Sequence, residues 1–322
     1  MTAGHLGEAR TGRYNRVKRR AMTESQLTFN GVKAELRDIN ICYETFGDPR
    51  DPAILLIADF GQQMLGWDAQ FCQQLAVMGY WVIRFDNRDM GRSSWLHHDP
   101  PSRFALAAAF LVGTGVRIGY TLDDMAEDAL GLLDYLRLEK VHVVGIGLGG
   151  MIGQLMAAAE PERVKTLASL MSSAGDMTIK MPGFSLVSQL FAPLADNLDD
   201  YCVQMATISE LLSGPRYPFA SDAVRRRATL AFHRGLNDAG VVRQLATLLM
   251  STSRREQLRT LTQPVLVVHG DHDPLIPVEH AIDTAALIPT ANLRIIAGLG
   301  HTLPAAFWVD LIGDLVKHFN NY

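Results

Sequence analysis

A short apolar strand, Val141-His142-Val143-Val144, runs directly into Gly145-Ile146-Gly147-Leu148-Gly149-Gly150, and Met151 to Ala159 leaves the turn with helical spacing. A strand that passes into a helix through so tight a turn must return by a crossover, and crossovers build parallel sheets. The rest of the chain repeats this unit. Ala53 to Ile57 is a continuous apolar run, as expected of a strand buried on both faces. Tyr80 to Asp86, Val164 to Leu170, Val265 to His269 and Leu293 to Ile296 read as further strands. Helical runs lie between them at Trp67–Met78, Leu122–Leu136, Val278–Leu287 and Pro304–Phe319, with Thr121 a natural N-cap for the second. The fold class is therefore α/β, with a mostly parallel central sheet flanked by helices.

Two segments break the alternation. Leu27 to Phe46 reads as an antiparallel hairpin turning near Asn30-Gly31 or a little later. From residue 176 to 260 strand signals vanish and helical runs with scattered Pro and Gly take over, as in a helical cap over the carboxyl edge of the sheet. The expected organisation is a tail over 1–26, a core over 27–175 and 261–322, and the cap over 176–260. Residues 100–119 read as a second, irregular insertion lining the same cleft. Met177, Met181, Phe184, Leu190, Phe191 and Met205 are candidates for an apolar roof or for the cap's own core.

At 322 residues and a net charge of −4, the chain offers no basic surface for nucleic acid or an anionic membrane. Arg10, Arg13, Arg16, Lys18, Arg19 and Arg20 are followed by no apolar stretch, so they read as a disordered basic tail, with Met22 an alternative start. Phe104 to Val112 is too short to span a bilayer. Cys42, Cys72 and Cys202 lie far apart, as reduced thiols of a cytoplasmic protein would. No metal-ligand spacing occurs, and no metal or cofactor is expected. The glycines around Gly147 are no dinucleotide loop, because they follow a fifth strand and no acidic residue ends the next one.

Four further segments carry a resemblance. Asp86-Asn87-Arg88-Asp89-Met90-Gly91-Arg92-Ser93 follows the fourth strand, and Tyr120 to Met125 leads into a helix. His269-Gly270-Asp271-His272-Asp273-Pro274 and Gly298-Leu299-Gly300-His301 follow the two late strands. In this order and spacing they resemble the α/β-hydrolase superfamily, and within it a bacterial esterase and lipase-like group that includes the aclacinomycin methylesterases. The resemblance implies an α/β-hydrolase fold with a helical cap. It implies Asp273 as the catalytic acid and His301 as the general base, with Asp271 the rival acid and His269 and His272 structural. It also implies an oxyanion hole from the backbone amides of Phe60 and Leu148.

The chain departs from that pattern twice. Gly147 stands where G-x-S-x-G has its nucleophilic serine, and Asp59 stands where the loop after the third strand usually has glycine. Glycine adopts the strained backbone of the turn cheaply, so the fold survives while the nucleophile is lost. Asp59 either points outward or faces the cleft. There its carboxylate opposes an oxyanion, or its protonated form donates a hydrogen bond. Ser172, Ser173 and Cys72 lie off the turn and do not replace the serine.

Three functions stay open. The first is a carboxylic ester hydrolase type, inactive or weak in this form, for an ester or lactone substrate. The second is a cofactor-free lyase, isomerase or cyclase using Asp273 and His301 for proton transfer. The third is a non-catalytic protein binding a small apolar ligand in a capped pocket.

Overall fold

Strand β3 (Ala53–Ile57) is buried along its whole length because both of its faces are covered. Ile54 and Leu56 enter one apolar layer, with Phe71, Leu315 and Phe319. Leu55 and Ile57 enter the other, with Leu132, Leu133 and Ile152. This alternation is the two-residue period of a strand, and it places helices on both sides. A computed structural model describes residues 31–175 and 183–321 of the chain. The basic tail, Met177 and Met181 lie outside the described residues, and Phe184 is described by its backbone alone.

The remaining strands are β1 (Val32–Glu35), β2 (Asn40–Phe46), β4 (Trp81–Phe85), β5 (Val141–Ile146), β6 (Val164–Leu170), β7 (Val265–Gly270) and β8 (Ala291–Ile296). They form one eight-stranded sheet in the order β1-β2-β4-β3-β5-β6-β7-β8. The β1–β2 and β2–β4 pairs are antiparallel. Pairing from β4 through β8 is parallel. The first hairpin turns at residues 36–39, where Leu36 donates to Ile39 at 2.9 Å, later than Asn30-Gly31.

Helices α1 (Ala69–Val77), α2 (Arg103–Val112), α3 (Leu122–Tyr135) and α4 (Leu148–Ala159) follow in chain order. Thr121 and Asp124 close a reciprocal capping box at the start of α3. Helix α2 corrects the reading of residues 100–119 as irregular. Ser102 caps it and Gly113, at φ 70°, ends it. Its apolar residues run all the way round, so no polar stripe marked it as helical. It also lies away from the cleft, with Leu106 packed on Val242, Leu245 and Ala246.

Between β6 and β7 lie α5 (Phe184–Leu190), α6 (Leu198–Leu212), α7 (Ser221–Arg234), α8 (Asp238–Met250) and α9 (Arg255–Arg259). Helices α10 (Glu279–Leu287) and α11 (Trp308–Asn320) complete the chain. No helix among the described residues is long and apolar enough to cross a membrane.

The segment Asp86–Ser93 fastens these inserted helices to the sheet. Arg234, at the end of α7, pairs with Asp86 at 2.7 Å. Arg243, on α8, pairs with Asp89 through two 2.7 Å bonds. All four side chains are sealed from solvent. Asp86 also accepts from the backbone of Met64 and Arg92, and Asp89 from that of Leu96. A buried pair of this kind is costly to break, because the surviving charge has no water and no partner. Arg243→Met is expected to destabilise the protein by about 3–5 kcal/mol in urea unfolding. Arg225→Met removes a solvent-exposed partner of Asp199 and is expected to cost less than about 1 kcal/mol. Equal losses would contradict the anchoring role of Asp89 and Arg243.

Candidate active site

The sheet register decides what meets at its carboxyl edge. Ile57 of β3 pairs with Gly145 of β5, so Asp59 and Gly147, two residues further along each strand, leave the sheet side by side. Gly147 has φ 53° and ψ −115°, a left-handed backbone that glycine tolerates best. A β-carbon built at position 147 would overlap the Asp59 carboxylate deep inside van der Waals distance. The space of a side chain at 147 is thus filled by the side chain of Asp59.

Asp59 is 6% exposed and faces inward. Its Oδ1 accepts from the backbone amides of Phe60 at 2.7 Å and Leu148 at 2.9 Å. Leu148 opens α4, so the carboxylate also meets the positive end of that helix dipole. The two amides that the sequence assigned to an oxyanion hole therefore converge on one atom, and that atom belongs to Asp59. Its other oxygen, Oδ2, lies 3.0 Å from His301 Nε2.

His301 is gripped from both sides. Its Nδ1 lies 2.6 Å from Asp273 Oδ2, and its backbone amide donates to Leu212 at the end of α6. Asp273 Oδ1 accepts from the amides of Leu275 and Ile276. Beneath it, His269 Nε2 sits 3.2 Å from Asp273 Oδ2 and 2.6 Å from the Ile276 carbonyl. Asp271 turns away to His272 and the Gly298 amide. Burial opposes a charge on His301, but Asp273 and then Asp59 outweigh it and push the imidazole up to about 10. Asp273 is likewise desolvated, yet His301 and His269 hold its carboxyl well below the usual carboxylate range. With an acceptor at each ring nitrogen, His301 is an imidazolium donating both ways.

Neither Ser172 nor Cys72 takes the place of the serine. Ser172 donates its hydroxyl to the Gly147 carbonyl at 2.8 Å. Cys72 is sealed in the core, where burial pushes its thiol up to about 12. Among the described residues, no group of three or more His, Cys, Asp or Glu side chains is arranged to hold a metal ion.

Asp59 and His301 form the floor of a cavity of about 180 Å³ between the sheet edge and α5–α8. Leu190 and Met205 line it, as does Ile208, whereas Phe191 packs on Phe110 instead. Tyr201 on α6 and Arg227 on α7 also line the cavity. The sequence did not single them out, because neither belongs to a motif and the cavity-facing side of α7 follows only from its packing.

The chain matches the family described as alpha/beta hydrolase fold over residues 52–304. It is 35% identical to rhodomycin D methylesterase DauP of Streptomyces sp. (strain C5), over 87% of this chain and 95% of that protein. It is 34% identical, with the same coverage, to rhodomycin D methylesterase DnrP of Streptomyces peucetius. Among solved structures, a meta-cleavage product hydrolase from Pseudomonas fluorescens superposes with a TM-score of 0.71 at 18% identity, over 90% of this chain and 98% of that one. An enol-lactonase from Burkholderia xenovorans superposes with a TM-score of 0.67 at 19% identity, over 90% of this chain and 100% of that one. With the matched segment spanning most of its length, the chain belongs to the alpha/beta hydrolase fold family.

Proposed function

We propose that this chain is a cofactor-free acid–base enzyme built on an esterase-type scaffold, with Asp59 as general base, His301 as general acid and Asp273 holding the imidazole in place. The carrying observation is that the Asp59 carboxylate fills the space of a residue-147 side chain and caps both amides of Phe60 and Leu148. Serine-type ester hydrolysis needs that space for a hydroxyl and those amides for a developing oxyanion. Here both are taken. What remains is a carboxylate oxygen, Asp59 Oδ2, beside an imidazolium at the floor of a largely apolar cavity.

Such a pair suits reactions that remove a proton from carbon and deliver one to a nearby oxygen or nitrogen. The amides orient Asp59 by holding Oδ1, and Oδ2, which accepts from His301, keeps a second lone pair for the substrate. His301 Nε2–H stabilises the charge that develops and can donate its proton. Asp273 balances the imidazolium throughout. The helices between β6 and β7 act as a cap that keeps water from the reacting groups. The methylesterase relatives suggest a related substrate class, a small and largely apolar molecule bearing an ester or another activated carbonyl.

Two assays test this reading. Ring opening of 5-nitrobenzisoxazole needs only a base in an apolar pocket. The unmodified protein is expected to exceed Asp59→Asn by about 10²-fold or more in kcat/KM, and equal rates would remove Asp59 as the base. With p-nitrophenyl butyrate, Gly147→Ser alone is expected to stay at background, because Asp59 blocks the new side chain. Asp59→Gly with Gly147→Ser is expected to give turnover that His301→Gln abolishes. His301-dependent turnover by Gly147→Ser alone would contradict the blocked site.

The charge on His301 sets a pH dependence. Its folded-state value near 10 lies above the ordinary 6.5, so its stabilising contribution is complete below pH 6.5 and is lost as pH rises through 10. Asp273 is depressed, so its contribution is present above the ordinary 3.8 and is lost as pH falls below it. The Tm of the unmodified protein is expected to fall more steeply than that of His301→Gln between pH 7 and 10. In 15N-NMR the His301 ring is expected to keep both protons at pH 8, and to titrate at lower pH in Asp59→Asn. A neutral ring at pH 8 in the unmodified protein would refute the imidazolium assignment.

A further inference from the structure

Several polar side chains at the cavity wall already have partners, whereas Gln62, Gln189, Ser209 and Thr302 make no side-chain hydrogen bond. Gln63 donates to the carbonyls of Ala231 and Gly235 and accepts from Arg234. Asn237 is engaged with Asp89 and Gly240, and Gln204 with Ala195 and Pro193. Arg227 differs. It is the one arginine or lysine among the described residues that line the cavity, and it makes no hydrogen bond or ion pair. Of the other arginines of α7, Arg225 pairs with Asp199 and Arg234 with Asp86, while Arg226 is exposed and does not line the cavity. The Tyr201 hydroxyl, on the same wall, also makes no hydrogen bond.

Arg227 keeps solvent contact yet has protein around it, as a side chain lining a cavity does. That surrounding protein lowers its pKa, and only Asp68 and Tyr201 oppose the shift. Burial pushes the Tyr201 phenol up to about 12, so it remains a donor at neutral pH. Arg227 is exposed, and a guanidinium with no acceptor of its own is available to an anion in the cavity. The floor has the opposite character. Asp59 and Asp273 surround a single imidazolium, which leaves a net negative charge there. An anion is repelled from the floor and drawn to Arg227.

We propose that Arg227 and Tyr201 form a subsite for the carboxylate of a small, otherwise apolar acid, whose uncharged end lies against Asp59 and His301. Guanidinium and carboxylate match as a two-pronged pair, and the phenol supplies a third donor. The proposal rests on the acid–base reading only in naming which end of the ligand reacts, because the binding itself requires no turnover.

The experiment is calorimetric titration of the full chain with octanoate and with octan-1-ol, which share a tail and differ in charge. Octanoate is expected to bind at least tenfold more tightly than the alcohol. Arg227→Gln is expected to weaken octanoate at least tenfold and to leave the alcohol within twofold. Arg227→Lys should recover part of the loss, and Tyr201→Phe should show a smaller one. Since neither side chain has a partner to lose, an unchanged Tm for each variant serves as the control for folding. Equal affinity for acid and alcohol, absence of octanoate binding, or insensitivity to Arg227→Gln would overturn the subsite. So would octanoate binding that tightens more than tenfold in Asp59→Asn, because the anion would then sit at the floor. Each of these failures leaves the 5-nitrobenzisoxazole assay of Asp59 unaffected, so the two readings can fail separately.

Discussion

The carboxylate of Asp59 occupying the side-chain space of Gly147 is the contact on which the chemistry of this site depends. It joins the ends of two adjacent parallel strands, caps two amides at the start of a helix and touches the imidazole of His301. In an esterase the same amides are kept open for an oxygen that exists only transiently. Here they hold the Oδ1 of Asp59. One consequence reaches His301, which gains a second carboxylate and is held as a cation at neutral pH. In the proposed reaction the acid and base roles are exchanged relative to the resemblance read from the motifs, with the carboxylate taking a proton and the imidazole giving one.

Around that contact the molecule is divided by charge. The segment after β4 sends Asp86 and Asp89 into buried pairs with Arg234 and Arg243, which spends those arginines on holding α7 and α8 in place. Arg227, a little earlier on α7, has no such duty and is left to the cavity. The result is a negative floor, apolar walls and a positive patch. A ligand with one charged end and one apolar end can lie in such a field in one direction only.

The core was legible in the sequence because a strand buried on both faces reads as a largely apolar run, which β3 is throughout and β5 and β6 are for most of their length. Thr121 announced α3 as its N-cap. Helix α2 was not legible, since an all-round apolar run of nine residues carries no helical stripe, and only the Ser102 and Gly113 caps mark its ends. Asp273, His301, Phe60 and Leu148 could be named from motif order, and the structure brings them together with Asp59 and Gly147. The direction of the Asp59 side chain could not be read, because it depends on the register of β3 against β5 and on a space 88 residues away in the chain. Arg227 was hidden for a similar reason. Its significance lies in a missing partner, and only packing reveals that.

The overlap between a β-carbon at 147 and the carboxylate at 59 also constrains the order in which this chain can change. Substitutions at the two positions are not independent. A hydroxymethyl group cannot return to position 147 while the Asp59 carboxylate stands there, and a shortened residue 59 beside Gly147 leaves neither a hydroxyl nor a carboxylate above the amides. A single substitution toward serine at 147 or a small residue at 59 therefore leaves two functional groups competing at that point or none, so one collision ties the two positions together.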